Sequence, residues 1–348
     1  MTIRFRRSLK IAPGLRVNFN KNSTSLSLGP RGAHYTVSTS GRKTISAGIP
    51  GTGLYAYESI GPQSAKHNSS VPKSAAQQQQ AAAQPSPKPS LFSSGAEKAF
   101  YEFLKDIYDT DHKYSPHEIV EKAKALSEQY DSLMYPLNLL SFVHILSADE
   151  YQDKLIDAGG KLWAARESAF NDPIVRKYFV GIFPVVPICE GISTRGIFDL
   201  QQLGFIWVEV LQNKEKYNEA LSVLHEMEPT QLVAISMADV ELSMKDYSGA
   251  LDTTSDITNE DDVTLILLVL RGIAFREQEM FDASLECLKQ ALAKKSRAKE
   301  ALHRAHFERS ITYQKMHKFA AAKKDLEMIL VDDPTNSEVL ERIGNLDK

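Results

Sequence analysis

The chain has 348 residues, 43% hydrophobic and 24% charged, with a net charge of −3. That length carries two or three domains and a substantial core, and the composition is ordinary for a soluble protein. The small net charge hides an asymmetry: residues 1–96 hold 12 lysines and arginines against the single acid Glu58, giving +11, while the remainder amounts to −14. A basic arm on an acidic body points either to an anionic partner or to docking of arm on body. Cys189 and Cys287 stand far apart outside any CxxC pattern, which excludes a disulfide framework and a cysteine metal motif. The first residues carry charge but no apolar core, so no secretory signal is read there. The most apolar stretch, Tyr178 to Ile192, is broken by Pro184, Pro187 and Glu190 and is too short to span a bilayer. The expected location is cytoplasmic.

Residues 1–60 predict a small basic antiparallel β domain, a meander of short strands. Apolar and polar residues alternate at Ile3, Phe5 and Leu9, then at Leu15, Val17 and Phe19. The pattern continues through Leu26 and Leu28, Tyr35 and Val37, Ile45 and Ala47, and Leu54 to Tyr57. Turn residues separate the runs, among them Pro13-Gly14, Ser40-Gly41 and Pro50-Gly51. One face is apolar. The other carries Arg4, Arg6, Lys10 and Arg16, with Arg31, Arg42 and Lys43 near turns, and this is the candidate polyanion-binding face. The same cations also guard a small sheet against edge-to-edge aggregation.

Residues 61–95 change composition to Gln, Ala, Pro and Ser without periodic apolar positions. They predict a disordered linker with a mean span of roughly 30 Å. From Ala96 onward the pattern is helical, with 96–196 read as one α-helical domain. Phe100, Phe103, Leu104 and Ile107 share a stripe, and Ser115-Pro116 is an N-cap followed by a proline at the first helical position. Further helices are expected over about 132–147 and 149–169, with a break at Asn171-Asp172-Pro173. Residues 179–196, with two prolines and three glycines, predict the least regular part, packed across a helical surface.

Residues 197–348 repeat a phrase: an aromatic, then a small residue three positions on. The pairs are Tyr217 with Ala220, Tyr247 with Ala250, Phe281 with Ser284, and Phe319 with Ala322, spaced by 30, 34 and 38 residues. A period near 34 predicts stacked helix-turn-helix units: 197–213 with 215–227, 230–243 with 247–257, 262–278 with 281–294, and 298–316 with 319–332. The small residues allow close helix crossing. Residues 337–346 predict a capping helix.

On these pairs, with Gly272, Phe275, Tyr313 and the closing Pro334, residues 200–335 resemble tetratricopeptide repeats. That resemblance implies a concave groove lined by the first helix of each repeat, with Phe205, Glu209, Asp239, Ile273, Arg276, Phe307 and Gln314 as candidate partner contacts. The alternative is that several of the apolar residues among them pack against the 97–196 helices, which then fill the groove from within. The run Arg4 to Gly14, with Arg16 to Asn18, Arg31 to Ala33 and Gly48 to Leu54, resembles the small bacterial family called domain of unknown function 4236. It implies a bacterial origin and supplies no activity.

Weaker signals fall to ordinary readings. The glycines at 48, 51 and 53 lack the following Gly-Lys-Ser/Thr of a phosphate loop. His117-Glu118 opens like a zinc-protease helix, but Glu121 stands where the second histidine belongs. Asp109, Asp111 and His112 sit at a helix end, and His303 and His306 lack a third ligand. No catalytic residue, cofactor or metal is expected. The fold expected is mixed and mostly α: β-meander, linker, then a helical-repeat body. The function expected is a non-enzymatic adaptor whose repeats bind a protein partner while the basic module contacts an anionic surface. The alternative is a nucleic-acid-associated protein binding through that module.

Overall fold

The computed structural model describes residues 87–107, 114–146, 148, 151–179 and 184–346 in full, and the backbone of six N-terminal strands. The strands are β1 (Arg7–Ala12), β2 (Leu15–Asn20), β3 (Ser23–Leu28), β4 (Ala33–Ser38), β5 (Lys43–Gly48) and β6 (Tyr55–Ile60). Each pairs antiparallel with the next, as short turns between alternating segments require. The register places Leu9, Val17, Leu26 and Val37 in one row and Leu15, Leu28, Tyr35 and Ile45 in another. Ile3, Phe5 and Leu54, read from the sequence as parts of the same alternation, lie outside the described residues.

The chain divides into two compact units, residues 1–186 with 195–210, and residues 187–194 with 211–348. In the first, α1 (Gly95–Ile107) buries Phe100, Phe103, Leu104 and Ile107. The next helix, α2 (Pro116–Gln129), opens on the expected Ser115 cap, completed by Glu118 as a capping box. A 3-10 turn, Asp131–Leu133, leads into α3 (Met134–Ile145), which is buried on nearly every side. The single helix expected over 149–169 is instead α4 (Leu155–Ala164) and α5 (Arg166–Asn171). Arg166 accounts for the break: its guanidinium donates to the Trp163 carbonyl at 2.8 Å and lies 4.3 Å over the Trp163 ring. Asp172 then caps α6 (Pro173–Tyr178), so the expected breaker also starts a helix.

The stretch expected to be irregular contains a hairpin, β7 (Val185–Cys189) and β8 (Ile192–Arg195). Its two-residue turn is Glu190-Gly191, and Gly191 takes φ +89°, open to glycine without strain.

After α7 (Leu200–Asn213), the second unit continues with α8 (Tyr217–Glu226), α9 (Gln231–Ser243), α10 (Tyr247–Thr253), α11 (Asp262–Glu277), α12 (Phe281–Ala291), α13 (Lys299–Lys315), α14 (Phe319–Asp332) and α15 (Ser337–Leu346). In the last three pairs the second helix packs on the first, while α11 packs against both α9 and α13. Ala220, Ala250, Ser284 and Ala322 have no exposed surface, as close crossing demands. Gly272 belongs to the same device: a Cβ there would lie 2.9 Å from Leu288. The final helix, α15, covers a cluster of Phe307, Leu326, Ile329 and Val339.

A regularity in the turns locks this register. Glu215, Lys245, Glu279 and His317 all adopt left-handed backbone, with φ between 57° and 65°, each two residues before the repeat aromatic. The following amides of Lys216, Asp246, Met280 and Lys318 donate to the carbonyls of Leu211, Glu241, Phe275 and Tyr313 at 2.8–2.9 Å. Each turn is a Schellman cap with a non-glycine residue at its left-handed position.

Candidate partner-binding surface

The first helices of the third and fourth repeats, α11 and α13, face each other through a chain of charges. Arg276 donates from Nη1 to Glu308 Oε2 at 2.6 Å and to the Glu308 carbonyl at 3.2 Å, and from Nε to Glu277 Oε1 at 2.9 Å. Lys315 reaches the other Glu277 oxygen at 3.1 Å. Arg304 Nε lies 3.1 Å from Glu308 Oε1 and also pairs with Glu190. Two guanidinium groups therefore bracket Glu308, a side chain only 1% exposed. Burial pushes the Glu308 carboxyl up, but Arg304 and Arg276 prevail and hold it below the usual range. Arg276 stays charged, because its carboxylate partners outweigh the burial that opposes its charge.

Beside this network lies a cleft of about 270 Å³ lined by Glu190, Gly191, His303, Phe307, Glu338 and Val339, among others. Phe307 is one of its lining residues, and the Arg342 guanidinium lies 4.6 Å from the Phe307 ring centre. Further along, Asp325 accepts from Arg309 at 2.6 and 2.8 Å and lies 2.8 Å from His306 Nδ1. His303 goes instead to Asp332, at 3.1 Å. The two histidines are thus held by different carboxylates of α14.

Of the residues proposed from sequence as partner contacts, Phe205, Glu209, Ile273, Arg276 and Phe307 are buried, and Asp239 and Gln314 are half-exposed. As placed, Arg276 and Phe307 are engaged internally by Glu308, Glu277 and Arg342. Arg276 and Phe307 converge on the α11–α13 region. Asp239 sits one repeat earlier, 3.4 Å from Gln212 Nε2. The members that sequence reading missed are Glu190, Glu277, Arg304 and Glu308. The signal was present: Arg304 and Glu308 are four apart on one helix, and Arg276 and Glu308 are separated by nearly one repeat.

For the basic module, Lys10, Arg16 and Lys43 lie on β1, β2 and β5. Lys10 and Arg16 occupy facing register positions. Arg4, Arg6, Arg31 and Arg42 fall outside the described residues, as do Asp109, Asp111 and His112. Among the described residues, no group of three or more His, Cys, Asp or Glu side chains is placed to hold a metal ion, and no helix is long and apolar enough to cross a membrane. His117 Nδ1 lies 2.8 Å from the Tyr151 hydroxyl, and Glu118 is absorbed in the α2 cap. Both cysteines are buried free thiols.

Residues 3–56 match the family described as a protein of unknown function, DUF4236. No curated protein matches the chain. Among solved structures, the chain is similar to the N-terminal domain of the EccA1 ATPase from the ESX-1 secretion system of Mycobacterium tuberculosis. The identity is 11% and the TM-score 0.54, over 73% of this chain and 90% of that one. A second neighbour, the APC/C hetero-tetramer Cut9-Hcn1, matches at 11% identity and TM-score 0.36, over 73% of this chain and 52% of its own. The fold class is accordingly mostly helical, with a tetratricopeptide-like repeat body.

Proposed function

We propose that the chain is a non-enzymatic adaptor whose helical repeats bind a protein partner and whose tethered basic β-module contacts a second, anionic surface. The observation that carries this reading is the stack of first helices α9, α11 and α13, each joined to its second helix by the same left-handed turn. Such arrays present one extended face built from successive repeats, suited to a polypeptide ligand. Support for the second contact is the charge of residues 1–96 and the facing positions of Lys10 and Arg16. Like charges directly opposite on a sheet are unfavourable unless a counter-charge shares them. If that counter-charge is nucleic acid, the module binds it through salt-dependent phosphate contacts.

An affinity pull-down separates these roles. The full chain and a chain beginning at Ala96 are compared, each with and without nuclease. The expected result is that both retain the same proteins after nuclease. Material retained by the full chain alone and released by nuclease would replace the scaffold reading with nucleic-acid association.

A further inference from the structure

The tip of the β7–β8 hairpin is seated in the second unit, whose other residues all follow 210. At Gly191 any side chain would be strained by φ +89° and would also meet Ile266 Cδ1 at 3.0 Å, Arg304 Cβ at 3.2 Å and the Glu300 carbonyl at 3.4 Å. The turn therefore fits between α11 and α13 only as glycine. Next to it, Glu190 pairs with Arg304. The arginine side chain is 5% exposed, whereas the glutamate is 36% exposed, so the buried member belongs to the repeats and the reachable member to the tip. Arg304 and Arg276 already share the single carboxylate of Glu308. Arg276 also donates to Glu277, so it is Arg304, 5% exposed, that would lose one of its carboxylates without Glu190, a loss that another carboxylate at the same place would make good. The cleft beside the tip leaves room for a ligand to approach.

We propose that Glu190-Gly191 is an internal pseudo-ligand, and that the α11–α13 face recognises a tight turn in which a carboxylate residue precedes glycine, presented by the protein partner in place of the tip. This rests on the scaffold reading above and specifies the chemistry of its partner. A covalently attached tip has an effective concentration on the order of millimolar, so a partner's turn competes only when it binds tightly or when the hairpin loosens.

The probe is a labelled peptide of residues 185–195, VVPICEGISTR, titrated into the full chain and into a full chain whose residues 187–194 are replaced by eight Gly and Ser residues. The replaced chain is expected to bind the peptide at least about tenfold more tightly than the unaltered chain, because its site is vacant. Glu190→Gln in the peptide, or Arg304→Gln in the replaced chain, is expected to weaken binding about tenfold by leaving a charge unpaired. A replaced chain that keeps a cooperative melt but ignores the peptide, or binds the Gln peptide equally well, overturns the proposal. If the replaced chain does not fold, hydrogen exchange on the full chain carrying Glu190→Gln decides. Amides of 187–194 should exchange about tenfold faster while α13 stays protected, and unchanged exchange overturns the proposal. Failure of the peptide with partner capture intact removes only the pseudo-ligand. Absence of any captured protein removes the scaffold reading itself.

Discussion

At the left-handed turn positions, four side chains occupy backbone that glycine takes without cost. A non-glycine residue there costs on the order of 1 kcal/mol, and glycine relieves most of it. Lys245 is exposed, so Lys245→Gly is expected to stabilise the chain by roughly 0.5–1 kcal/mol in urea denaturation. Lys245→Ala should give no such gain, because a Cβ remains. An equal effect of alanine and glycine would show that backbone strain is not stored at this turn. The same four residues explain part of what sequence reading missed. Glutamate, lysine and histidine carry no turn signature, so the helix breaks had to be placed from the aromatic that follows each of them.

Between elements, adjacent glycines on α4 show how packing decides a substitution. A Cβ on Gly159 would lie 2.2–2.8 Å from the Trp207 ring, whereas one on Gly160 would meet nothing within 4 Å. Gly160→Ala is expected to gain about 0.5–1 kcal/mol from helix propensity, and Gly159→Ala to lose about 1–3 kcal/mol by overpacking. Denaturation midpoints of the two variants should move in opposite directions; movement in the same direction would mean that Trp207 does not abut Gly159. Sequence alone treats Gly159-Gly160 as one weak spot, since the distinction depends on a residue far along the chain. The repeats were legible for the converse reason: their packing is periodic, so small residues recur at fixed spacing. The hairpin was not legible, because its prolines and glycines read as irregularity and Ile266 and Arg304 come into view only in three dimensions.

For the molecule as a whole, acid should act in two stages. His144 on α3 is buried, and that burial pushes its pKa from 6.5 down to about 4. The folded chain then binds fewer protons than the unfolded chain between those values, so stability falls as pH drops from 6.5 towards 4. The shift corresponds to about 3 kcal/mol at full extent. Glu308 and Asp325 act lower. Each is pushed up by burial but held down more strongly, Glu308 by Arg304 and Arg276, Asp325 by Arg309 and His306. Their contribution is present above the ordinary carboxylate values of 4.5 and 3.8 and is lost below them. Equilibrium denaturation at pH 7 and pH 5 should show a loss in the unaltered chain that His144→Leu largely removes. Equal losses in both chains would place the titrating group elsewhere.

The three intervals between repeat aromatics, 30, 34 and 38 residues, differ by four, close to the 3.6 residues of one helical turn. The second helices α8, α10, α12 and α14 have 10, 7, 11 and 14 residues. The four-residue steps are therefore shared among helices and connections rather than added to one helix. An added turn returns Ala250, Ser284 or Ala322 to the same azimuth, whereas one or two added residues would swing it by 100° or 200° toward solvent. A helix of this array keeps its small residue in phase with its neighbour only when length is gained by about a whole turn ahead of that residue, whereas the connections between helices take up length without touching the phase.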